Sequence, residues 1–284
     1  MGVVNVTPDS FYDGGSFLEP TRAVEHALQL LEEGADILDV GGESTRPGAR
    51  VAGEEAASAS RQAVDEAEEL KRTLPVIEAI RRARPDAVIS IDTYKAAVAR
   101  AAVEAGAEIV NDVSALLWDP LMAATCADLK CGVVMMHTRG KPGQWRELPP
   151  ETDVTHVVEH DLANRVQVAF ERGVQRSHIV LDPGFGFGKN FEENYPLLAN
   201  LDVLQRLGFP LLAGTSRKSF IGRTAGKRRG QDLPPSERLY GSIAAMVISI
   251  LHGAHIARVH DVKAAVEAAA VADEVLAATK NSAL

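Results

Sequence analysis

Residues 87–114, AVISIDTYKAAVARAAVEAGAEIVNDVS, place two short apolar runs on either side of a longer alanine-rich segment. The first run (87–93) and the second (108–114) are rich in valine and isoleucine, which predicts buried strands. The segment between them has helical spacing and ends at Gly106, a residue typical of a helix C-terminus. The stretch therefore predicts a strand, a helix and a second strand.

The same alternation continues along the whole chain, with helical patterns such as 21–34, which ends at Gly34, between the apolar runs. The predicted strands are GVVNV (2–6), DILDVGG (36–42), AVISIDT (87–93), EIVNDVS (108–114), GVVMMHT (132–138), HIVLDPG (178–184), PLLAGTS (210–216) and HIARVHD (255–261). Because these runs are apolar on both faces, they predict an α/β fold, a closed parallel (β/α)8 TIM barrel. The sequence contains no low-complexity linker, so we expect a single domain over residues 1–284.

The composition narrows the class of protein further. The 284 residues are 46% hydrophobic and carry a net charge of -9, which argues against nucleic acid as a partner. Apolar runs fall short of the ~18 residues of a membrane span, and the first residues lack signal-peptide features, so we expect a cytoplasmic location and no membrane partner. Cys126 and Cys131 are too few for a disulfide framework and poorly spaced for a metal, so we expect reduced thiols.

Polar residues cluster at the carboxyl ends of the predicted strands, the edge where barrel enzymes build their active sites. Any one of them is also a common turn former, but their joint position favours a site. They are Asn5, Asp39, Asp92, Asn111, His137, Asp182, Ser216 with Lys218, and His260.

Asp92, Asn111 and Asp182 would project from three strands into the barrel mouth. Two carboxylates and an amide suit a flat heterocycle with neighbouring N–H groups. The alternative is that they form structural ion pairs with Lys218 and Arg258, which we disfavour because buried ion pairs stabilise weakly.

The loops after the last two strands carry the basic residues. Lys218 follows the seventh strand, and Arg258 and His260 lie two residues apart, which points both to one side of a strand. Loops at these positions form the frequent phosphate site of TIM barrels, so we expect an anion there. We therefore expect carboxylates and cations at opposite sides of one cavity.

Three loops complete the predicted rim. GFGFGKN (184–190) resembles a phosphate loop but has one residue too few between its glycines and Asn190 in place of Ser or Thr. We interpret its glycines as a sharp turn after Asp182 that leaves Phe187 free to cover a ligand. The loops 7–20 and 42–48 have the character of mobile lids. His137 is either a ligand contact or a hydrogen-bonded wall residue.

Seven motifs together resemble a known family. They are GVVNVTPDSFYDGG (2–15), DVGGESTRPGA (39–49), SIDTYK (90–95), NDVS (111–114), DPGFGFGK (182–189), GTSRKSF (214–220) and RVHD (258–261). With them the chain resembles the dihydropteroate synthases of the pterin-binding barrel family. The resemblance implies that (7,8-dihydropterin-6-yl)methyl diphosphate is joined to 4-aminobenzoate, with release of diphosphate, by a homodimer that uses Mg2+.

The resemblance also implies roles for individual residues. The pterin would be bound by Asp92, Asn111, Asp182, Lys218 and Arg258. Diphosphate would be bound by Asn5, Arg258 and His260, and Asn5 would also contact the metal. The aminobenzoate pocket would be formed by Phe11, Thr45, Arg46, Pro47, Phe187 and Ser216, with Asp13 organising the first loop. The catalytic set would be Asp92, Asp182, Lys218, Arg258 and His260.

The residue types themselves suit this chemistry. Breaking the carbon–oxygen bond leaves positive charge on the pterin and negative charge on diphosphate, which requires carboxylates and cations respectively. A dissociative displacement without a dedicated general base is the expected mechanism. A methyltetrahydrofolate-dependent methyltransferase would not need Arg258 and His260, and a catalytically silent pterin-binding protein would be expected to lose loop or anion-binding residues. Relatives usually carry a further N-terminal segment, so the sequence leaves the barrel floor open.

Overall fold

A computed structural model describes residues 1–6, 18–43 and 63–281 of the chain. Each strand lies within one of the predicted runs, and the last two are short. The strands are β1 (Gly2–Asn5), β2 (Ile37–Gly41), β3 (Val88–Asp92), β4 (Ile109–Asp112), β5 (Gly132–Met136), β6 (Ile179–Asp182), β7 (Leu212–Ala213) and β8 (Ile256–Ala257).

The strands close into a parallel barrel. β1 to β6 form one sheet in chain order, and β7 pairs with β8. A bridge between Leu181 and Leu211 joins the two sheets on one side, and a bridge between Gly2 and Val259 joins them on the other. The predicted (β/α)8 barrel is therefore confirmed. β8 begins irregularly because the amides of His255 and Ile256 both donate to the carbonyl of Leu211, at 2.8 and 3.1 Å.

Helices cover the outside of the barrel. They are α1 (Leu18–Glu32), α2 (Glu66–Ala83), α3 (Ala96–Glu104), α4 (Met122–Leu129), α5 (Val154–Glu171), α6 (Asn194–Ala199), α7 (Ser219–Gly226), α8 (Leu239–Leu251) and α9 (Val262–Asn281). α3 ends as its sequence predicts: Gly106 is left-handed at φ 115°, and the amide of Ala107 donates to the carbonyl of Ala102. In the described part of the chain, the helices are all too short or too polar to span a bilayer.

The barrel interior changes from apolar to polar along the strands. Alternate strand residues face inward, so Ile109 and Val180 lie one layer below Asn111 and Asp182. The lower layer is filled by a buried cluster of Met1, Val134 and Leu212, against which Ile37, Ile109, Val180 and Ile256 pack. The floor is thus occupied by side chains, and the polar layer lies above it at the carboxyl ends of the strands.

Candidate active site

One cavity of about 280 Å³ opens at the carboxyl ends of the strands. Its lining includes the predicted site residues in the described part of the chain, namely Asn5, Asp92, Asn111, Asp182, Phe187, Ser216, Lys218, Arg258 and His260. Phe11, Asp13, Thr45, Arg46 and Pro47 lie outside the described residues. The strands therefore bring together carboxylates, an amide and cations from distant parts of the sequence.

Two of the carboxylates that line the cavity, Asp92 and Asp182, are held differently. Asp182 is buried and accepts the amide of Gly184 at 2.7 Å. Burial raises the pKa of Asp182, and the hydrogen bond from Gly184 opposes this. Burial also raises the pKa of Asp92, to about 7, while Arg258 opposes the rise and Asp39 adds to it. Both groups are thus less acidic than exposed carboxyls, because the cavity penalises their charge.

Arg258 lies among the carboxylates rather than opposite them. Its Nε donates to Oδ2 of Asp39 at 2.6 Å, and its Nη2 donates to Oδ2 of Asp92 at 2.7 Å. Burial lowers the pKa of Arg258, but Asp39 and Asp92 outweigh this effect and hold it above its ordinary value. The expected separation of cations from carboxylates is therefore wrong for Arg258. It points inward from the end of β8 into the carboxylate layer, where a buried guanidinium requires acceptors.

The sequence pattern places Asp39 at the rim but does not indicate a role for it. Its side chain is 0% exposed, and besides Arg258 it accepts Nδ2 of Asn111 at 3.0 Å. It therefore orients two cavity residues at once. Asp39 pairs with Ser90 of β3 and faces the barrel interior, and this position in β2 is the feature of the sequence that could have indicated its role.

The loops after β7 and β8 are joined to each other. The Oγ of Ser216 accepts the amide of His260 at 3.2 Å and lies 3.0 Å from its Nδ1. Arg217, left-handed at φ 58°, forms an ion pair with Asp261 at 2.6 Å. These contacts join the two loops that carry Ser216 and His260, both of which line the cavity.

An aromatic wall lies beside these loops. Nζ of Lys218 lies 4.0 Å from the ring centre of Phe187, within the range of a cation–π contact. The ring of Trp145 meets Phe187 edge-on, with centroids 5.3 Å apart, and Trp145 also lines the cavity. Trp145 was missed because the loop that carries it has no periodic pattern.

The glycine-rich turn after β6 follows its prediction. Gly184 has φ 67°, and a Cβ at that position would lie 1.9 Å from the carbonyl oxygen of His137. Of the two roles considered for His137, the structure supports the wall residue. Its Nε2 lies 3.2 Å from Asp161 and its Nδ1 lies 2.9 Å from Nζ of Lys189.

A buried ion cluster that follows the end of β2 is not predicted by the sequence pattern. Nζ of Lys95 lies 2.5 Å from Glu43 and also bonds Glu69. Burial raises the pKa of Glu69, and Lys95 opposes this. Glu43 lines the cavity and accepts the amide of Val64 at 3.2 Å. The ion pair with Lys95 thus fixes the position of Glu43, which lines the cavity.

Metal ligands are sparse in this site. Within residues 1–6, 18–43 and 63–281, no group of three or more His, Cys, Asp or Glu side chains has the geometry to hold a metal ion. Asn5 lines the cavity, and its side chain has one amide oxygen. A single protein oxygen fits Mg2+ only where waters and substrate phosphates complete its coordination.

A closed barrel with this cavity at its strand ends defines a TIM-barrel enzyme whose substrate lies on that rim. The family model described as pterin binding enzyme matches residues 1–260, and the chain belongs to that family, within it to the dihydropteroate synthases. A Synechocystis dihydropteroate synthase is 43% identical over 274 residues, 96% of this chain and 88% of that protein. The Xanthomonas albilineans enzyme with 4-aminobenzoic acid is 44% identical with a TM-score of 0.84, covering 98% and 92%. The same enzyme with 7,8-dihydropteroate is 42% identical with a TM-score of 0.81, covering 98% and 93%.

Proposed function

We propose that this protein condenses (7,8-dihydropterin-6-yl)methyl diphosphate with 4-aminobenzoate to give 7,8-dihydropteroate and diphosphate in folate biosynthesis. One observation carries the proposal: a single cavity is lined by Asp92, Asn111 and Asp182 and also by Ser216, Lys218 and His260. The similarity to synthase structures that hold 4-aminobenzoic acid and 7,8-dihydropteroate supports the same ligands here.

The carboxylate layer is the proposed pterin site. Asp182 and Asp92 would accept the N–H groups of the heterocycle, Asn111 would add its amide, and Lys218 and Arg258 would complete the pocket. Positive charge that spreads over the pterin as the carbon–oxygen bond breaks would be stabilised by the two carboxylates. A carboxyl with a pKa near 7 can also carry a proton, so Asp92 can adapt to either protonation state of the ring.

The loops after β7 and β8 are the proposed site of the leaving group. Arg258 and His260 would take the charge of diphosphate, with Asn5 at the neighbouring strand end. Because Asp39 holds Nε of Arg258, the orientation of the guanidinium is set before substrate binds. We assign Mg2+ to Asn5 and the diphosphate oxygens, where the ion supplies charge neutralisation when bound.

The aromatic wall is the proposed site of 4-aminobenzoate. Phe187 and Ser216 would contact it, together with Phe11, Thr45, Arg46 and Pro47, and Asp13 would organise the first loop. The attacking amine is neutral and loses its proton readily once bonded to carbon. The catalytic set remains Asp92, Asp182, Lys218, Arg258 and His260.

We also propose a homodimer that forms through α8 and α9. These helices pack on each other and expose large apolar side chains, namely Tyr240, Ile248 and Leu251 on α8 and Val266, Val271 and Val275 on α9. Such a patch is typical of an interface. We propose a cytoplasmic location, which two free, buried cysteines support. Sedimentation velocity at micromolar protein tests the dimer, and a single monomer peak would contradict it.

The activity is tested by diphosphate release. Purified protein with Mg2+ should release diphosphate only when the pterin diphosphate and 4-aminobenzoate are both present, and mass spectrometry should find dihydropteroate in equal amount. An Arg258→Lys variant, which keeps the charge but loses the fork geometry, should release it more slowly. An Arg100→Ala variant, on the exposed face of α3, is the control and should match the wild type. Release that does not depend on the aromatic amine would contradict the proposal.

A further inference from the structure

The turn after β6 encloses a lysine whose role is not explained by the chemistry above. Gly184, Gly186 and Gly188 are all left-handed, with φ of 67°, 79° and 65°, and fold the chain back on itself. Lys189 follows them and is 8% exposed. Its Nζ donates to the carbonyls of Gly184 at 2.9 Å and Phe187 at 3.3 Å. The ammonium thus lies inside the turn and bonds both of its ends.

The ring of His137 supplies a third acceptor for this ammonium, and the carbonyl oxygen of His137 lies 3.5 Å from Nζ. Its Nδ1 lies 2.9 Å from Nζ of Lys189, and an ammonium has no lone pair, so Nδ1 must be the unprotonated nitrogen. Nε2 then carries the ring hydrogen and donates to Asp161 at 3.2 Å. Burial, together with the charge of Lys189, lowers the pKa of His137 to about 4, so the ring is uncharged near pH 7. His137 therefore serves the lysine rather than the ligand.

The cost of burying this lysine argues against a purely stabilising role. In the described part of the chain, no carboxylate lies within ion-pair distance of its Nζ, in contrast to Lys95. Burial lowers the pKa of Lys189 to about 7, although Asp182 opposes this. A buried ammonium with only neutral acceptors is expensive, and such groups are found most often where function requires them.

The residue that the ammonium holds is part of the cavity wall. Nζ bonds the carbonyl of Phe187 itself, so it fixes the backbone that carries this ring. The ring centre of Phe187 lies 4.0 Å from Nζ of Lys218 and 5.3 Å from the ring centre of Trp145, with the two rings nearly perpendicular. At the other end, the turn is attached to the pterin side, because Gly184 donates to Asp182. Lys189 thus joins the backbone of Phe187 to the end of the turn that is bonded to Asp182.

We propose that Lys189 is a positioning residue for the reaction: its ammonium, held by His137 inside the turn, fixes Phe187 between Lys218 and Trp145 and so sets the wall on which the aromatic amine lies. The inference rests on the function proposed above. It affects the two substrates differently, because Asp182 keeps its bond from the Gly184 amide without the lysine, whereas the carbonyl of Phe187 loses its bond to Nζ.

Lys189→Met tests the proposal in a Trp118→Phe background, in which Trp145 is the one remaining tryptophan of the sequence. Loss of the ammonium should free Phe187, shift the emission of Trp145, and raise KM for 4-aminobenzoate about tenfold, the scale of one cation–π or charged hydrogen-bond contact. Calorimetric affinity for the pterin diphosphate should change by less than about threefold. Lys71→Met, which removes a lysine whose side chain is 77% exposed, is the matched control and should change neither.

Two results would overturn the proposal. Unchanged emission with unchanged KM would show that Phe187 does not depend on Lys189. An equal loss of affinity for both substrates, together with lower stability, would show a general structural role. The emission measurement requires no turnover, so failure of the wild type to release diphosphate would refute the proposed function without affecting the test of the turn.

If Lys189→Met does not fold, a pH titration of Trp145 emission tests the role of the ammonium instead. As pH rises through about 7, the ammonium loses one hydrogen and can no longer serve three acceptors. The groups that face it are His137, Asp161, Asp182, Lys218, Arg139 and Glu193. Asp92 titrates in the same range, so the titration is made in Trp118→Phe/Asp92→Asn protein. Trp145 emission should still change with a midpoint near pH 7, and constant emission from pH 6 to 9 would refute the role of the ammonium.

Discussion

Replacing Arg258 by alanine should destabilise the protein in a pH-dependent way. The substitution leaves Asp39 and Asp92 without the guanidinium that bonds both at 2.6 and 2.7 Å. Breaking a buried ion pair by removing one partner costs about 3 to 5 kcal/mol. Since 22% of the Arg258 side chain is exposed, solvent screens part of this, and we expect about 3 kcal/mol at pH 8.

The pH dependence follows from Asp92. Its folded-state pKa of about 7 lies above its unfolded value, so the folded protein binds more protons and stability falls as pH rises from about 4 to 7. Without Arg258 the pKa of Asp92 rises further, and the fall continues above pH 7. Each unit of additional pKa shift adds about 1.4 kcal/mol to the destabilisation at pH 8 but little at pH 5.5, where Asp92 is already protonated in both proteins.

Urea unfolding at pH 5.5 and pH 8, with m-values compared, measures both quantities. Arg100→Ala, which removes an exposed partner of Asp128, should stay within about 0.5 kcal/mol of the wild type at both pH values. A loss of stability in Arg258→Ala that is the same at pH 5.5 and pH 8 would refute the reasoning. The turnover of Arg258→Ala should fall as well, so we expect this variant to lose both activity and stability.

Three further substitutions test other parts of the site. Gly184→Ala places a methyl 1.9 Å from a backbone oxygen and should cost more than about 3 kcal/mol in thermal unfolding, whereas Gly230→Ala, also left-handed but with open space, should cost about 1 kcal/mol. Asp182→Asn turns an acceptor into a donor and should weaken pterin affinity at least about tenfold by calorimetry, and unchanged affinity would contradict that contact. Lys95→Met leaves two buried glutamates uncompensated and should destabilise by about 3 kcal/mol at pH 8; a stable variant would show that one of them is already protonated.

The strands were predictable from their continuous apolar runs, and the inward direction of the polar rim residues was predictable from the alternation of side chains along a strand. Asn111 and Asp182 stand two residues beyond apolar positions that face inward, so their direction follows from the pattern. The bond between Arg258 and Asp39 was not predictable, since it joins residues 219 positions apart across the barrel interior. The sequence predicts that the charged residues lie at one rim, but it does not predict which of them bond to each other there.

The sequence patterns also did not predict the roles of three residues that lie on loops. Trp145, Lys189 and Lys95 lie after strands, in segments whose conformation is set by glycines and local hydrogen bonds and not by periodic burial. Lys189 was visible in the motif DPGFGFGK, but its contact with His137 depends on a turn that only three left-handed glycines permit. The glycines in a sequence indicate such a turn, but they do not predict which side chain the turn encloses.

The barrel is closed by single bridges at two places, between β6 and β7 and between β8 and β1. Because so few main-chain bonds hold these junctions, amide protons there should exchange with deuterated water sooner than those of β2 to β5. The same two short strands lead into the loops that carry Ser216 and His260, while Asn5 ends the strand next to them. A molecule bound to all three residues would tie β7 and β8 to β1, and protection against exchange at the junction between β8 and β1 should therefore rise with ligand occupancy.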